Sequence, residues 1–325
     1  IKTTEAAAIA AFNWIGSGEK ELADKDATEA MTHALNELRF YGTVISGEGK
    51  KDNSYGIFPG ETVGLFAKTI QEGNSADMLR LNVPKDPVKY EIAVDPIEGT
   101  TQTVNCGPEA MSAITIAGKD SMFQTDYFYM NRIVCGKKIA DKVNLSLRNP
   151  LEENIKLVCE ATGKSVKEVM VCVLNRPRHQ KIIDKLREVG VRIKLLQDCD
   201  IVGAVAACLP KNNVDFLIGI GGAPEAIIST AAIKTLGGYI EAQVYDMNLT
   251  GGSVDPTFST LDTSWHPIGE IIPQGRLISS PCVFAATGIT NGTILNGIKI
   301  SKGMLKTNSV FMKSDDATIR WVDTY

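Results

Sequence analysis

The sequence predicts an α/β fold, and three observations carry that reading. Residues 169–174, 191–196 and 214–218 are apolar runs of strand length, each followed by a helical pattern. Ahead of them, two helical patterns precede a short β-favouring run and a buried strand. Polar and charged residues gather just past the strands' carboxyl ends, where open α/β sheets bind their ligands.

Residues 4–15 are alanine-rich and helix-favouring, and Gly16-Ser17-Gly18 ends the run. Next, Ala27, Ala30, Met31, Ala34, Leu35 and Leu38 recur at helical spacing, and Asp26 with Glu29 is spaced as a capping box. This places Asp24 just before a helix. Thr43-Val44-Ile45 reads as a strand closed by Gly47-Glu48-Gly49, which puts Glu48 at a strand end. Residues 67–89 mix charges with Gly73, Pro84 and Pro87 and read as an irregular excursion. Ile92-Ala93-Val94 is a buried strand running into Asp95, and residues 113–117 are another.

The second half is a β-α repeat. One helix carries Ile182, Ile183, Leu186 and Val189 and stops at Gly190; another begins at Pro224 and ends near Gly237-Gly238. The strand ends carry Arg176 with Arg178, Asp198 with Asp200, and Gly221 and Gly222 with Glu225, so three successive ends line one crevice. Residues 247–275, rich in Thr, Gly, Pro and Ser, read as a long surface connection.

Composition narrows the function. The 325 residues are 44% hydrophobic and 22% charged, as in a globular chain able to bury a sizeable core. A formal charge of -4 lacks the basic face of a nucleic-acid binder, and no apolar run reaches the length of a membrane span. Seven cysteines, scattered and without a C-x-x-C pair, read as reduced core thiols. With only His33, His179 and His266 available, a bound metal needs oxygen ligands. The chain begins at Ile1 rather than Met; a cytoplasmic setting is expected, or a plastid stroma if a transit peptide has been removed.

The densest oxygen pattern is Asp95-Pro96-Ile97-Glu98-Gly99-Thr100. Two carboxylates, the Ile97 carbonyl and a hydroxyl on one turn suit a hard cation, and the bound ion would acidify a water that Thr100 orients. The alternative is an acidic surface turn closed by proline and glycine. Arg176-Pro177-Arg178 suits two phosphate contacts at a helix start, or else is a pair of solvated arginines. Gly221-Gly222-Ala223-Pro224-Glu225 allows close backbone approach to a ligand, though a tight strand-to-helix turn needs glycine anyway. Asp24 and Glu48, taken singly, read as solvated carboxylates, and His179 reads as a cap or packing residue rather than a base.

The Asp95–Thr100 segment resembles the Asp-Pro-(Ile/Leu)-Asp-(Gly/Ser)-Thr signature of the lithium-sensitive, metal-dependent sugar phosphatase superfamily, with Glu98 in place of the second aspartate. Four further motifs follow in order around it: Gly47-Glu48-Gly49, Arg176-Pro177-Arg178-His179, Asp198-Cys199-Asp200 and Gly219-Ile220-Gly221-Gly222-Ala223-Pro224-Glu225. With these the chain resembles class II fructose-1,6-bisphosphatases, most of all the cyanobacterial type that also hydrolyses sedoheptulose 1,7-bisphosphate. Cys199 stands where that family commonly has glycine, and Asn53-Ser54-Tyr55-Gly56-Ile57 departs from its usual run after Asp52.

The resemblance implies a layered α-β-α-β-α sandwich, with a metal-binding phosphatase domain over 1–150 and an α/β sugar-phosphate-binding domain over 151–325. It implies two or more Mg2+ or Mn2+ ions on Asp24, Glu48, Asp95, Glu98 and Glu225, joined by the Ile97 carbonyl. Thr100 would position the attacking water, with Lys20 and Asp52 beside the reacting phosphate. Glu98, Gly99, Tyr129, Arg176, Pro177, Arg178, Asp198, Cys199, Asp200 and Gly222 would surround the rest of the sugar bisphosphate. The implied activity is hydrolysis of the 1-phosphate, in gluconeogenesis or the Calvin cycle, by a homo-oligomer, dimer or tetramer. Rival readings are an inositol- or nucleotide-phosphate hydrolase of the same superfamily, or a silent sugar-phosphate-binding regulator.

Overall fold

The computed structural model describes residues 1–47, 56–73, 75–245, 267–301 and 303–325. Two compact units emerge, one of Ile1–Gln124, Ser280–Lys313 and Thr318–Tyr325, the other of Thr125–Ser279 and Ser314–Ala317.

The first unit opens with α1 (Lys2–Phe12) and α2 (Lys20–Asn36). Ala23, Ala27, Met31 and Leu35 are fully buried on α2, a stripe at helical spacing, and Ala7, Ala8 and Ala11 are buried on α1. The start of α2 corrects the sequence reading. Asp24 lies inside the helix, because Lys20-Glu21-Leu22-Ala23 are good helix formers and Ser17 Oγ, 3.1 Å from the Glu19 N–H, orders the chain just ahead of them. Asp26 does not cap; its carboxylate accepts from Trp14 Nε1 at 2.9 Å.

There follow β1 (Tyr41–Ser46), β2 (Thr62–Val63), α3 (Leu65–Glu72), α4 (Ser75–Arg80), β3 (Lys89–Glu98), α5 (Thr100–Val104) and β4 (Met111–Gly118). Residues 67–89, expected to be irregular, thus hold most of one helix and all of another. Gly73, left-handed at φ 65°, stops α3 rather than signalling a loop. α4 buries no residue, so it offers no apolar stripe for a sequence reading to find.

The second unit holds β5 (Tyr129–Cys135), α6 (Lys137–Ala140), α7 (Leu151–Thr162), β6 (Met170–Leu174), α8 (Gln180–Val189), β7 (Arg192–Leu196), α9 (Asp200–Cys208), β8 (Phe216–Gly222), α10 (Ala223–Thr235), β9 (Tyr239–Tyr245), β10 (Pro267–Pro273) and α11 (Gln274–Leu277). Its sheet runs β10-β9-β5-β8-β6-β7. β6 is parallel to both β7 and β8, so the carboxyl ends of these three strands share one edge. On one face Ile133, Val171, Val173, Phe216 and Ile218 pack with Ile155 and Val158 of α7 and Ile182, Ile183 and Leu186 of α8. Gly190 ends α8 in the left-handed conformation, as its sequence predicts. The connection expected over 247–275 ends early, for residues 267–273 are β10, paired antiparallel to β9 and bounded by prolines in keeping with an edge strand. Residues 246–266 lie outside the described set.

The chain re-enters the first unit through β11 (Cys282–Gly288), β12 (Lys299–Ser301), β13 (Met304–Lys313) and β14 (Thr318–Thr324). That sheet runs β12-β13-β11-β4-β3-β1-β2, with β14 on β13. The linear division at 150/151 therefore does not coincide with the compact units: β11 returns to pair with β4 over seven residues, Cys282 to Gly288. Each unit combines a mixed sheet with helices, as an α/β chain should. Among the described residues no helix is long and apolar enough to cross a membrane. None of the seven cysteines is in a disulfide; five are buried, while Cys106, expected in the core, is exposed in the turn after α5.

Candidate active site

In the first unit the site grows from an irregularity in β3. Asp95 pairs with Ala113 and Glu98 with Met111, so three steps along β3 match two along β4. The bulge accommodates Pro96, which has no N–H for the ladder, and turns two carboxylates the same way. Ligand oxygens of Asp95 and Glu98 lie within 4.8 Å of each other, and Glu98 is only 4% exposed. Gly99, at φ 92°, turns the chain into α5. Thr100 then stands at the helix start, its Oγ1 donating to Asp24 Oδ1 at 2.8 Å and lying 3.3 Å from the Ile97 carbonyl oxygen.

Asp24, Asp95, Ile97, Glu98 and Thr100 are thus one cluster, although Asp24 arrives from a helix 76 positions before Thr100. Lys20, a turn earlier on α2, donates to Thr101 Oγ1 at 2.8 Å, which brings its ammonium beside the same turn. The donor atoms are all carboxylate, carbonyl or hydroxyl oxygens, a set that fits a hard divalent cation. Two carboxylates this close repel each other, and a cation between them removes the repulsion. Glu48 and Asp52 lie outside the described residues.

In the second unit the three strand ends meet as expected. Arg176 Nη2 contacts Asp198 Oδ1 at 3.0 Å, linking the end of β6 to the end of β7. Arg178 donates through Nε and Nη2 to the Ile220 carbonyl at 3.1 and 2.9 Å, tying the β6 end to β8. Its guanidinium lies 5.4 Å from the centroid of the Tyr129 ring, within cation–π range. Pro177 stands between the two arginines and opens the short 3-10 turn Pro177–His179, with Arg176 as its cap and Arg178 inside it. Burial holds the Arg178 pKa below its ordinary value, with partial compensation from Tyr129, Glu225 and Asp198.

Gly222 leaves room for Glu225; a Cβ there would strike its carboxylate. Among the described residues no donor reaches the enclosed Glu225 Oε2, and burial raises the carboxyl's pKa. An enclosed carboxylate oxygen with no donor has the character of a cation ligand.

His179 is no base. It is fully buried, Ile220 N–H donates to Nε2 at 2.8 Å, and Nδ1, which then carries the proton, donates to the Leu174 carbonyl at 2.8 Å. Burial, followed by the charge of Arg178, pushes its pKa down to about 3. The ring is a neutral strut between β6 and β8.

Two features escaped the sequence reading. Arg132, on β5, is 1% exposed and forms a buried ion pair with Asp200. An arginine in the run Tyr-Met-Asn-Arg-Ile-Val-Cys was the available signal, since charge in an apolar strand implies a partner. Asp200, expected to face the sugar, is a buried residue whose carboxylate is turned to Arg132. Cys199, before it, is left-handed at φ 66°, a conformation that favours glycine over a residue with a Cβ.

An α/β chain with an oxygen-ligand turn on one sheet and arginine-lined strand ends on the other has the make-up of a metal-dependent sugar phosphatase. The family model for bacterial, glpX-encoded fructose-1,6-bisphosphatase matches residues 1–325, and the chain belongs to that family of phosphoric monoester hydrolases. It is 33% identical over 332 residues to the D-fructose 1,6-bisphosphatase class 2/sedoheptulose 1,7-bisphosphatase of Crocosphaera subtropica, covering 100% of this chain and 94% of that protein. The identically named proteins of Synechocystis sp. and Trichormus variabilis are 32% and 33% identical, with the same coverage of both chains.

Proposed function

We propose that this chain hydrolyses the 1-phosphate of fructose 1,6-bisphosphate, and the corresponding phosphate of sedoheptulose 1,7-bisphosphate, with Mg2+ or Mn2+ as cofactor. Family membership over the full chain supports the substrate class. The single observation that carries the mechanism is the Thr100–Asp24 hydrogen bond.

Asp24 and the Ile97 carbonyl both only accept, and the single Thr100 proton goes to the nearer and charged partner, Asp24 at 2.8 Å against 3.3 Å, which leaves the lone pairs of Oγ1 facing away from the carboxylate. Those lone pairs hold a water by one of its hydrogens and aim its oxygen at phosphorus. As the water oxygen bonds to phosphorus, the bond from phosphorus to the sugar C1 oxygen breaks; the water proton passes toward Oγ1 while the threonine proton moves toward Asp24, and the departing sugar oxygen takes a proton from solvent, a route that needs no histidine. Asp24, Asp95, Glu98 and the Ile97 carbonyl are the proposed metal ligands, with Glu48 and Glu225. Divalent ions, when held by this set, would neutralise charge and lower the pKa of the attacking water.

Lys20 faces the reacting phosphate, with Asp52, and Gly99 lets the backbone approach it. Arg178 and Arg176 receive the other phosphate, Tyr129 and Gly222 border the sugar, and Asp198 holds Arg176 in place. We assign Pro177, Cys199 and Asp200 the task of shaping these loops. The active form is assigned as a homo-oligomer, which light scattering on the purified protein measures.

Phosphate release from fructose 1,6-bisphosphate, sedoheptulose 1,7-bisphosphate, inositol phosphate and a nucleotide phosphate, with and without Mg2+ or Mn2+, tests the reading. Preference for inositol or nucleotide phosphate would overturn it, as would turnover that survives exhaustive chelation.

A further inference from the structure

The Asp198-Cys199-Asp200 turn is held in a conformation its own residues disfavour. Cys199 has φ 66° and ψ 65°, a left-handed geometry costly to any residue with a Cβ. Such a turn persists only where its flanks are fixed. On the N-terminal flank Asp198 meets Arg176 at the half-exposed rim of the sheet. On the C-terminal flank Asp200 is tied to Arg132, with Arg132 1% and the Asp200 side chain 9% exposed. The buried pair is the firmer of the two.

Its surroundings are built around it. On β5, Arg132 lies between Gly219 of β8 and Ala242 of β9, two small residues. A Cβ at Gly221 would collide with both the Asp200 carboxylate and the Arg132 guanidinium. Buried ion pairs are poor sources of net stability, because desolvation offsets the attraction and an apolar pair of similar volume often serves as well. Fixed direction is what a planar guanidinium adds.

We propose that Arg132 is a positioning residue: through its buried pair with Asp200 it holds the strained Cys199 turn, and so sets the Asp198 contact that orients Arg176 for the sugar phosphate. The substrate part rests on the function proposed above.

The test replaces the pair by apolar residues, R132M/D200L, so that no buried charge is stranded. Amide hydrogen exchange of residues 198–201 is followed in the full-length protein, together with kcat and KM for fructose 1,6-bisphosphate. The folded variant is expected to exchange about tenfold faster in this segment, and KM to rise roughly tenfold with kcat within about threefold. R132K, which keeps the charge but loses the planar fork, should fall between, and it decides the matter where the double variant does not fold. C199G removes the strain, so in its background the KM effect of R132M/D200L should shrink. Parental exchange and KM in folded R132M/D200L, or in R132K if that alone folds, would overturn the proposal; so would lost kcat at unchanged KM. Failure of the parent on fructose 1,6-bisphosphate would sink the functional reading instead, and the exchange measurement would still decide whether the pair holds the turn.

Discussion

Thr100 Oγ1 donates to Asp24 Oδ1 at 2.8 Å, joining the first residue of α5 to the body of α2. The bond gives the hydroxyl a direction, and direction is what an attacking water needs. Thr100→Ser keeps the oxygen and loses only the methyl that restricts χ1, so kcat should fall by about two- to fivefold. Thr100→Ala removes the relay, and kcat should fall by roughly a hundredfold or more with KM little changed. Steady-state kinetics of both variants check this; an alanine variant as active as the serine one would leave Thr100 a turn residue.

His179 makes acid stability measurable. Its folded pKa is about 3 against 6.5 for the free side chain, so the unfolded chain binds more protons between those values. Stability from this group is therefore fully present above pH 6.5 and declines as pH falls toward 3. The expected slope from one such group is about 1.4 kcal/mol per pH unit. His179→Gln, which keeps a donor and an acceptor, should lower stability at pH 8 yet flatten the profile between pH 6 and 4. Urea unfolding across that range reads both effects, and parallel parent and variant profiles would show that the histidine charges freely in the fold.

Where sequence and structure agree, the signal was local. Gly190 ends α8, the glycine-rich run after Ile220 makes the β8–α10 turn, and the polar strand ends share one sheet edge because β6, β7 and β8 are parallel. The misses were long-range or lacked a stripe. Asp26 looked like a cap because its partner, Trp14 Nε1, belongs to the preceding turn region. Arg132 stayed hidden because nothing beside it in the chain reveals Asp200, which meets it only through packing of α9 against the sheet. α4 buries none of its residues, so no periodicity marked it.

Glu98 tests the metal assignment without an activity assay. Its carboxylate oxygen lies within 4.8 Å of that of Asp95, and the residue is 4% exposed, so ion-free protein carries a like-charge repulsion there. Glu98→Gln removes that repulsion at nearly constant shape, and the ion-free protein should gain about 1 kcal/mol. The same change makes a poorer ligand, so the rise in Tm produced by Mg2+ or Mn2+ should shrink markedly. Thermal unfolding with chelator and with each ion gives both numbers. A variant with parental metal-induced stabilisation would remove Glu98 from the ligand set.

Gly221 and Gly163 separate steric demand from backbone demand. Gly163 caps α7 at φ 75°, and a Cβ there would have no atom within 4 Å, so Gly163→Ala should cost only the left-handed penalty of about 1 kcal/mol. Gly221 lies in β8, where a Cβ would enter the space of the Arg132–Asp200 pair. Neither partner can retreat without stranding a buried charge, and breaking such a pair costs about 3–5 kcal/mol. Gly221→Ala should therefore destabilise by about 3 kcal/mol or more. Urea unfolding of the two variants gives the comparison, and the expected ordering is a clear excess for Gly221→Ala. Equal costs would mean that the ion pair yields easily, and the rigidity attributed to Arg132 would fall with it.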